Sequence, residues 1–129
     1  MSTNSLIGIE KQDGNVEYIY CHWDGYLSGN GAWLLQNYQD RTKVQALINL
    51  GDISSLGNTV EECVAYHRDH GEAWEDVKPD TVSREEYLKR PIDVPYLYLY
   101  DTQGRWHAWQ RGTWSDDGII LTAENTKEE

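Results

Sequence analysis

Phenylalanine is absent from this chain, and cysteine, methionine and proline are rare, with two, one and three copies among 129 residues. Two cysteines outside any Cys-x-x-Cys pair exclude a disulfide-rich secreted scaffold and predict reduced, buried thiols. No apolar run approaches the ~20 residues of a membrane helix, and the N-terminus lacks the basic segment of a signal peptide. These absences predict a soluble protein without a membrane partner, located in the cytoplasm.

Positive charge is also scarce, since 11 Lys and Arg stand against 22 Asp and Glu, for a net charge of −11. A surface that follows a nucleic-acid backbone needs basic side chains at the phosphates, so direct binding to long nucleic acid is disfavoured. An acidic surface suits solubility, or a partner protein with a basic surface such as a nucleic-acid channel. The carboxylates of "GEAWEDVKPD" (Glu72, Glu75, Asp76 and Asp80) are interpreted as a solvated loop.

Nine tyrosines and six tryptophans take the place of phenylalanine. Both residue types combine a large contact area with a polar group, so they serve half-wet sites and interfaces as well as cores. The length and the 39% hydrophobic content predict one folded domain, residues 1–129, with frayed ends at 1–4 and 124–129.

An N-terminal β-hairpin is predicted from "SLIGIEKQDGNVEYIYCHW", which turns at Asp13-Gly14. Its second strand is apolar on both faces, which predicts a central strand. Trp23 and Tyr26 are expected to close the core. The glycines of "DGYLSGNG" then indicate an irregular turn rather than a phosphate-binding loop.

A C-terminal hairpin is predicted from "VPYLYLYDTQGRWHAW", with "DTQG" as its turn, followed by a last strand in "DGIILTA". Leu97 and Leu99 are expected to face the core, whereas Tyr96, Tyr98 and Tyr100 share the other face of the strand. We refer to these three residues as the tyrosine stripe.

Three to four short helices are predicted between the hairpins. "AWLLQNYQD" and "TKVQALINLG" have helical spacing, with a bend near Asp40 and a stop at Gly51. "TVEECVAYHRDHG" carries a capping box and a C-terminal glycine, and Ser83 opens a further helix that stops before Pro91. The order of elements predicts an α+β domain with a mostly antiparallel sheet.

Cys21, His22 and Asp24 are the residues that invite a catalytic interpretation. Adjacent strand residues point to opposite faces, so Cys21 and His22 cannot touch each other, and no catalytic motif frames the carboxylates. We therefore predict no enzyme and no catalytic residue, with a small hydrolase that uses these three residues as an alternative.

A metal site is the other chemical alternative. Cys63, His67 and His70 have a helical spacing able to hold a metal, but a fourth ligand is missing. Neither a metal nor a cofactor is predicted.

Aromatic and basic residues of the C-terminal half suggest a ligand surface, because rings stack on nucleobases and arginine binds anions. The basic residues are Arg84, Lys89, Arg90, Arg105 and Arg111. The candidate binding residues are His22, Trp23, Asp24, Tyr26, Tyr96, Tyr98, Tyr100, Arg105, Trp106, Trp109 and Arg111. The tyrosine stripe can equally be buried, or be the interface of a homo-oligomer.

The segments "SLIGIEKQDG", "YIYCHWDGY", "LLQNYQD" and "KVQALINLGDISSLG" resemble a family of small proteins of bacteriophages, prophages and other mobile elements. The resemblance is specific over residues 5–57 and loose beyond, where "TVEECVAYHRDHGE" and "YLYLYDTQGRWHAW" continue it. It implies an accessory protein and no catalytic residue. By analogy it favours a stoichiometric inhibitor of a host defence system, or alternatively an oligomeric sponge for a nucleotide-derived immune signal.

Overall fold

The β-sheet has eight strands in the part of the chain that a computed structural model describes, residues 3–89, 94–111 and 118–127. The strands are β1 (Ser5–Glu10), β2 (Asn15–Cys21), β3 (Ile53–Ser55), β4 (Val64–Ala65), β5 (Asp80–Ser83), β6 (Tyr96–Tyr100), β7 (Trp106–Gln110) and β8 (Ile119–Ile120). Their order is β4-β3-β2-β1-β6-β7-β8, and β5 pairs with β2. The pairings of β1 with β6 and of β2 with β3 are parallel, and the others are antiparallel. The predicted α+β fold with a mostly antiparallel sheet is confirmed.

Short helices connect these strands within the described residues. They are a π-helical turn (Leu27–Gly31), α1 (Ala32–Asn37), α2 (Arg41–Ile48), α3 (Trp74–Val77) and α4 (Arg84–Leu88). Asp40 begins α2, because its carboxylate accepts a hydrogen bond from the N–H of Thr42 at 2.8 Å. Ser83 begins α4 in the same way. The bend predicted near Asp40 and the helix predicted to begin at Ser83 are therefore confirmed. Pro91, before which this helix is predicted to stop, lies outside the described residues.

Both predicted hairpins are present. Their turns carry Gly14 at φ +87° and Gly104 at φ +81°, a left-handed conformation that glycine adopts without strain. β2 has β1 on one side and both β3 and β5 on the other, so it is the central strand that the sequence predicts.

Helices cover the sheet on both faces. On one face α1 and α2 pack over Ile7 and Ile19, which are fully buried. On the other face Tyr87 of α4 lies over Gly8, where an added Cβ would come within 2.9 Å of the tyrosine ring. Leu97 and Leu99 are buried in this second cluster, as predicted. The elements thus pack as one compact domain.

The helix predicted for "TVEECVAYHRDHG" is wrong. The segment forms turns around β4, which pairs with β3. The capping contact at its start is present, since the Thr59 hydroxyl accepts a hydrogen bond from the N–H of Glu62 at 3.3 Å. However, the Asp69 carboxylate accepts the N–H of Ala65 at 2.7 Å, a bond that a helix would give to the preceding turn. Strand pairing and this side-chain bond together override the helical spacing.

Trp23 and Tyr26 do not close the core as predicted, because they are 44% and 40% exposed. The chain leaves β2 through Asp24 at φ +59°, a conformation that residues other than glycine rarely adopt. It then enters the π-helical turn, where the sequence predicts irregular structure. The two rings therefore lie at the surface beyond the end of β2.

The C-terminal segment packs on the domain. β8 pairs with β7 over two residues and confirms the predicted last strand. Thr126, within the tail predicted to fray, is buried, and its hydroxyl donates to the carbonyl of Thr122 at 2.7 Å. In the described ranges, no helix has the length and apolar character needed to cross a bilayer.

Candidate functional site

The tyrosine stripe belongs largely to the core. Tyr98 and Tyr100 are 0% and 3% exposed, whereas Tyr96 is half-buried. The hydroxyl of Tyr98 donates to the carbonyl of Gly25 at 2.6 Å, and that of Tyr100 donates to the carbonyl of Gln39 at 3.0 Å. Burial raises the pKa of Tyr98 well above its ordinary value, which keeps this hydroxyl a donor. The stripe therefore fastens residues 25–39 to the sheet.

The two candidate tryptophans of β7 are buried as well. Trp106 is 3% exposed, and its indole N–H donates to the carbonyl of Tyr38 at 2.8 Å. Trp109 is 2% exposed and stacks on His107, with ring centroids 5.9 Å apart. Neither indole presents a ring face to a ligand at the surface.

His22 and Trp23 lie just beyond β2, and their rings meet edge to face with centroids 4.7 Å apart. His22 Nδ1 lies 2.9 Å from the hydroxyl of Tyr20, which also accepts a hydrogen bond from the amide of Asn4. His22 is thus a half-buried member of a hydrogen-bonded cluster, with the exposed ring of Trp23 beside it.

Tyr26 and Tyr96 come together in a surface depression of ≈ 410 Å³. The hydroxyl of Tyr26 donates to Asp24 Oδ1 at 3.0 Å, and that of Tyr96 accepts a hydrogen bond from the amide of Gln110 at 3.2 Å. Lys127 lines the same depression and supplies a cation, which forms an ion pair with Glu124 at 3.0 Å. Two of the candidate aromatic residues therefore share one concave surface.

Cys21 lies on the opposite face of β2 from His22, as predicted. Its thiol is fully buried and accepts a hydrogen bond from the amide of Asn30 at 3.3 Å. Burial raises the pKa of Cys21 to about 12, so the thiolate needed for nucleophilic attack is scarce at neutral pH. This arrangement gives the hydrolase alternative no support.

The three side chains considered for metal binding point to different surroundings. Cys63 is buried, and its sulfur accepts the N–H of Gly57 at 3.3 Å. His67 is exposed, and its Nδ1 lies 2.7 Å from the carbonyl of Glu72. Among the described residues, including His70, no group of three or more potential ligands could hold a metal ion.

An acidic face occupies the sheet edge near β3 and β5. We define it by Asp52, Glu72, Asp76 and Asp80. Asp52 Oδ1 accepts the N–H of Tyr20 at 2.9 Å, at a point of β2 between the pairings with β3 and β5. Burial raises the pKa of Asp52, and the charges of Asp80 and Glu72 raise it further. The hydrogen bond from Tyr20 lowers it, and the resulting pKa is about 6. Within the described residues, no Lys or Arg forms an ion pair with any of the four carboxylates.

Backbone hydrogen bonds hold the acidic face together. The N–H of Asp52 donates to the carbonyl of Val77 at 2.7 Å, and the N–H of Tyr66 donates to the carbonyl of Asp52 at 3.2 Å. The N–H of Glu72 in turn donates to the carbonyl of Tyr66 at 3.0 Å. Residues 66–77 are therefore folded back onto the start of β3. The sequence instead predicts a helix up to Gly71 and a solvated loop for the carboxylates from Glu72 to Asp80.

Exposed aromatic rings border the acidic face. Trp74 is 37% exposed and meets His67 edge to face, with centroids 5.2 Å apart. Half-buried Tyr66 and exposed His70 form a second ring pair at 5.8 Å. Sequence reasoning missed Asp52, Tyr66 and Trp74 because it assigned residues 59–71 to a helix and left Asp52 outside any motif. The available signal is the β-prone "DISSL" directly after Gly51, which places Asp52 at the start of a strand.

The predicted basic residues are only partly brought together. Arg84 and Arg105 line one depression at the end of the sheet, whereas Lys89 forms an exposed ion pair with Glu85. Arg111 lies just after β7, where its N–H donates to the carbonyl of Pro95 at 2.8 Å. Arg90 lies outside the described residues. Only Arg84 and Arg105 of this set therefore share a depression in the described part of the chain, and no residue of the tyrosine stripe lines it.

Comparisons with protein-family models, with curated proteins and with solved structures found no match to this chain.

Proposed function

We propose that this protein acts by stoichiometric binding, with its acidic face against a basic surface of a host protein. The observation that carries the proposal is the placement of Glu72 and Asp80 near the half-buried carboxylate of Asp52, whose pKa burial raises and these two charges raise further, to about 6. Neighbouring like charges create a negative potential that a cationic surface would relieve. Backbone hydrogen bonds fix the main chain at Asp52 and Glu72 before binding.

The aromatic rings beside the acidic face supply apolar contact area, which the carboxylates lack. Exposed carboxylates steer an encounter but contribute little affinity, because water and salt screen them. Trp74 offers a large exposed ring for apolar or cation–π contact with Lys or Arg of a partner. Carboxylates and rings together suit a protein surface better than a nucleic-acid backbone, which the acidic charge would repel.

The resemblance to proteins of mobile elements supplies the biological context. In that context we propose an accessory protein that acts in the cytoplasm of a bacterial host and inhibits a defence system whose active component has a basic groove. No catalytic residue enters this mechanism. The extent of inhibition should therefore depend on the amount of the protein and should not grow with the time of incubation.

The nucleotide sponge is retained as a second candidate because of the depression that joins Tyr26, Tyr96 and Lys127. Two rings and a cation are the groups that hold a base and its phosphate. Native mass spectrometry of the protein recovered from its host would reveal a bound small molecule. Loss of that mass in Tyr26→Ala with Tyr96→Ala would favour the sponge, whereas an unchanged mass would exclude this depression as its binding site.

The acidic face is tested with the triple variant Glu72→Gln, Asp76→Asn and Asp80→Asn. Bacterial hosts that each carry one defence system would express the wild type or the variant, and phage plating efficiency would be measured. We expect the wild type to restore plating on at least one such host and the triple variant to lose that effect. The inhibited component should bind the wild type in a fixed ratio, and the complex should weaken as salt is raised.

A matched control removes the same charge elsewhere, at the exposed residues Asp13, Glu61 and Glu86. The variant Asp13→Asn, Glu61→Gln and Glu86→Gln should inhibit like the wild type. If both triple variants lose inhibition equally, net charge rather than the acidic face is responsible. Full inhibition by the Glu72, Asp76 and Asp80 variant would contradict the proposal.

A further inference from the structure

Three arginines converge where the parallel strands β1 and β6 end. The guanidinium of Arg41 donates to the carbonyls of Glu10 and Asp101, and so ties the two strand ends together. Arg84 Nε lies 3.4 Å from Glu10 Oε2, and Arg105 Nε donates to Asp101 Oδ2 at 3.1 Å. Three guanidinium groups thus gather at this strand end, on a chain whose net charge is −11. Arg84 and Arg105 line a common depression with the carboxylates of Glu10 and Asp101, whereas Arg41 lies outside that depression. This end of the sheet differs in charge from the acidic face.

The nitrogen of each arginine that lies closest to its carboxylate is Nε. The contacts of Arg84 and Arg105 with Glu10 and Asp101 both use Nε. Within the described residues, the terminal Nη atoms of these two arginines donate no hydrogen bond. Both side chains line one depression of ≈ 420 Å³. A guanidinium held at Nε presents its two terminal nitrogens as a fork for an oxyanion.

Asp101 fixes the orientation of the Arg105 fork. Its Oδ1 accepts the N–H groups of Gln103 and Arg105, both at 2.9 Å, and its Oδ2 lies 2.7 Å from His107 Nε2. Burial alone would raise the pKa of Asp101, but these hydrogen bonds hold it below its ordinary value. The carboxylate therefore stays ionised at neutral pH, and it is buried rather than free to swing away.

We propose that this depression, defined by Arg84, Arg105, Thr102 and Gln103 and called the arginine site, binds a phosphate monoester group. Such a group has three terminal oxygens and nearly two negative charges at neutral pH, which two guanidinium forks can match. A carboxylate, with two oxygens and one charge, occupies one fork. Thr102 and Gln103 line the depression and add hydroxyl and amide donors. The arginine site shares no residue with the acidic face, so it is a second function of the molecule.

The arginine site is tested by titration of the full chain with inorganic phosphate at physiological ionic strength, followed by nitrogen–proton resonances. We expect saturable shifts concentrated at the Nε–H groups of Arg84 and Arg105 and at the backbone amides of Thr102 and Gln103. Acetate should bind more weakly than phosphate. The variant Arg84→Gln with Arg105→Gln should bind phosphate about tenfold more weakly or worse, because charge-assisted hydrogen bonds are lost.

The matched control is Lys78→Gln with Lys89→Gln, which removes two positive charges from exposed ion pairs elsewhere. This variant should keep the affinity of the wild type for phosphate. Equal losses in both double variants, or no saturable shift in the folded wild type, would overturn the proposal. Because the shifts are measured on the wild type, a folding defect in the arginine variant would not obscure the result. A parallel titration with adenosine 5′-monophosphate identifies the source, since tighter binding than phosphate indicates a nucleotide and equal binding indicates free phosphate.

Discussion

Asp52 supplies β2 with a hydrogen-bond acceptor that a neighbouring strand would otherwise provide. The N–H of Tyr20 lies between the stretches that pair with β3 and β5, and a buried N–H without a partner is costly. The carboxylate of Asp52 supplies the acceptor at 2.9 Å. Its charge is then half-buried beside Glu72 and Asp80, which explains why one residue both completes the sheet and organises the acidic face.

The substitution Asp52→Asn is expected to stabilise the protein above pH 6. The pKa of Asp52 is about 6 in the folded chain against 3.8 for an ordinary aspartate, so the folded state binds more protons between these values. The contribution of this carboxyl to stability is therefore complete below the lower value and is lost as the pH rises through about 6. Asparagine keeps the acceptor for Tyr20 without the charge. Urea unfolding should give a free energy of unfolding about 1 to 2 kcal/mol higher than wild type at pH 7.5, with little difference at pH 4.

The exposed carboxylate of Glu61 provides the comparison for this pH dependence. Glu61→Gln removes the same charge without altering a buried group, so its unfolding free energy should follow that of the wild type at both pH values. A destabilised Asp52→Asn at pH 7.5 would show that the ionised carboxylate, despite its cost, is needed for the bond to Tyr20.

At the scale of elements, hairpin turns and helix N-caps are predictable from the sequence where few other hydrogen-bond partners compete for the same backbone groups. Asp13-Gly14 sets the first hairpin turn, Asp40 begins α2 at the predicted bend, and Ser83 begins α4 as the sequence predicts. Residues 59–71 show the limit, since a sound capping contact at Thr59 starts no helix once β4 pairs with β3. Such pairing joins residues distant in the chain, and spacing within a short segment carries no information about it.

The contact between Gly8 and Tyr87 is expected to determine how closely α4 approaches the sheet. A Cβ at Gly8 would lie 2.8 Å from the Val16 side chain and 2.9 Å from the Tyr87 ring, too close for either to stay in place. Gly8→Ala should therefore lower the free energy of unfolding by about 1 to 3 kcal/mol. Urea unfolding measures the loss, and faster amide exchange in α4 would show that the helix has moved.

A double-mutant cycle separates this clash from the intrinsic strand preference of alanine. In a Tyr87→Leu background the ring is gone, so Gly8→Ala should cost clearly less than it does in the wild type. An equal cost in both backgrounds would place the clash at Val16 instead, and α4 would then keep its position.

At the scale of the whole molecule, the sequence predicts the charge but not its distribution. The net charge of −11 is read directly from the composition, whereas the acidic face and the arginine site arise only when β1, β5 and β6 bring distant residues together. The same holds for the tyrosine stripe, whose alternation is visible in the sequence although its burial depends on α1 and α2 covering that face of the sheet. Candidate residues are therefore predictable by type, and their grouping into sites is not.

Crowded carboxylates should make the stability of this domain depend on salt. Raising sodium chloride from about 0.01 to 0.1 M shortens the screening length from about 30 to 10 Å and weakens the repulsion within the acidic face. We expect the free energy of unfolding of the wild type to rise by about 0.5 to 1 kcal/mol over this range. The variant Glu72→Gln, Asp76→Asn and Asp80→Asn should respond less than the variant that carries Asp13→Asn, Glu61→Gln and Glu86→Gln, although both lose three negative charges. Equal responses would mean that the repulsion is spread evenly over the surface, and the acidic face would then have no special electrostatic character.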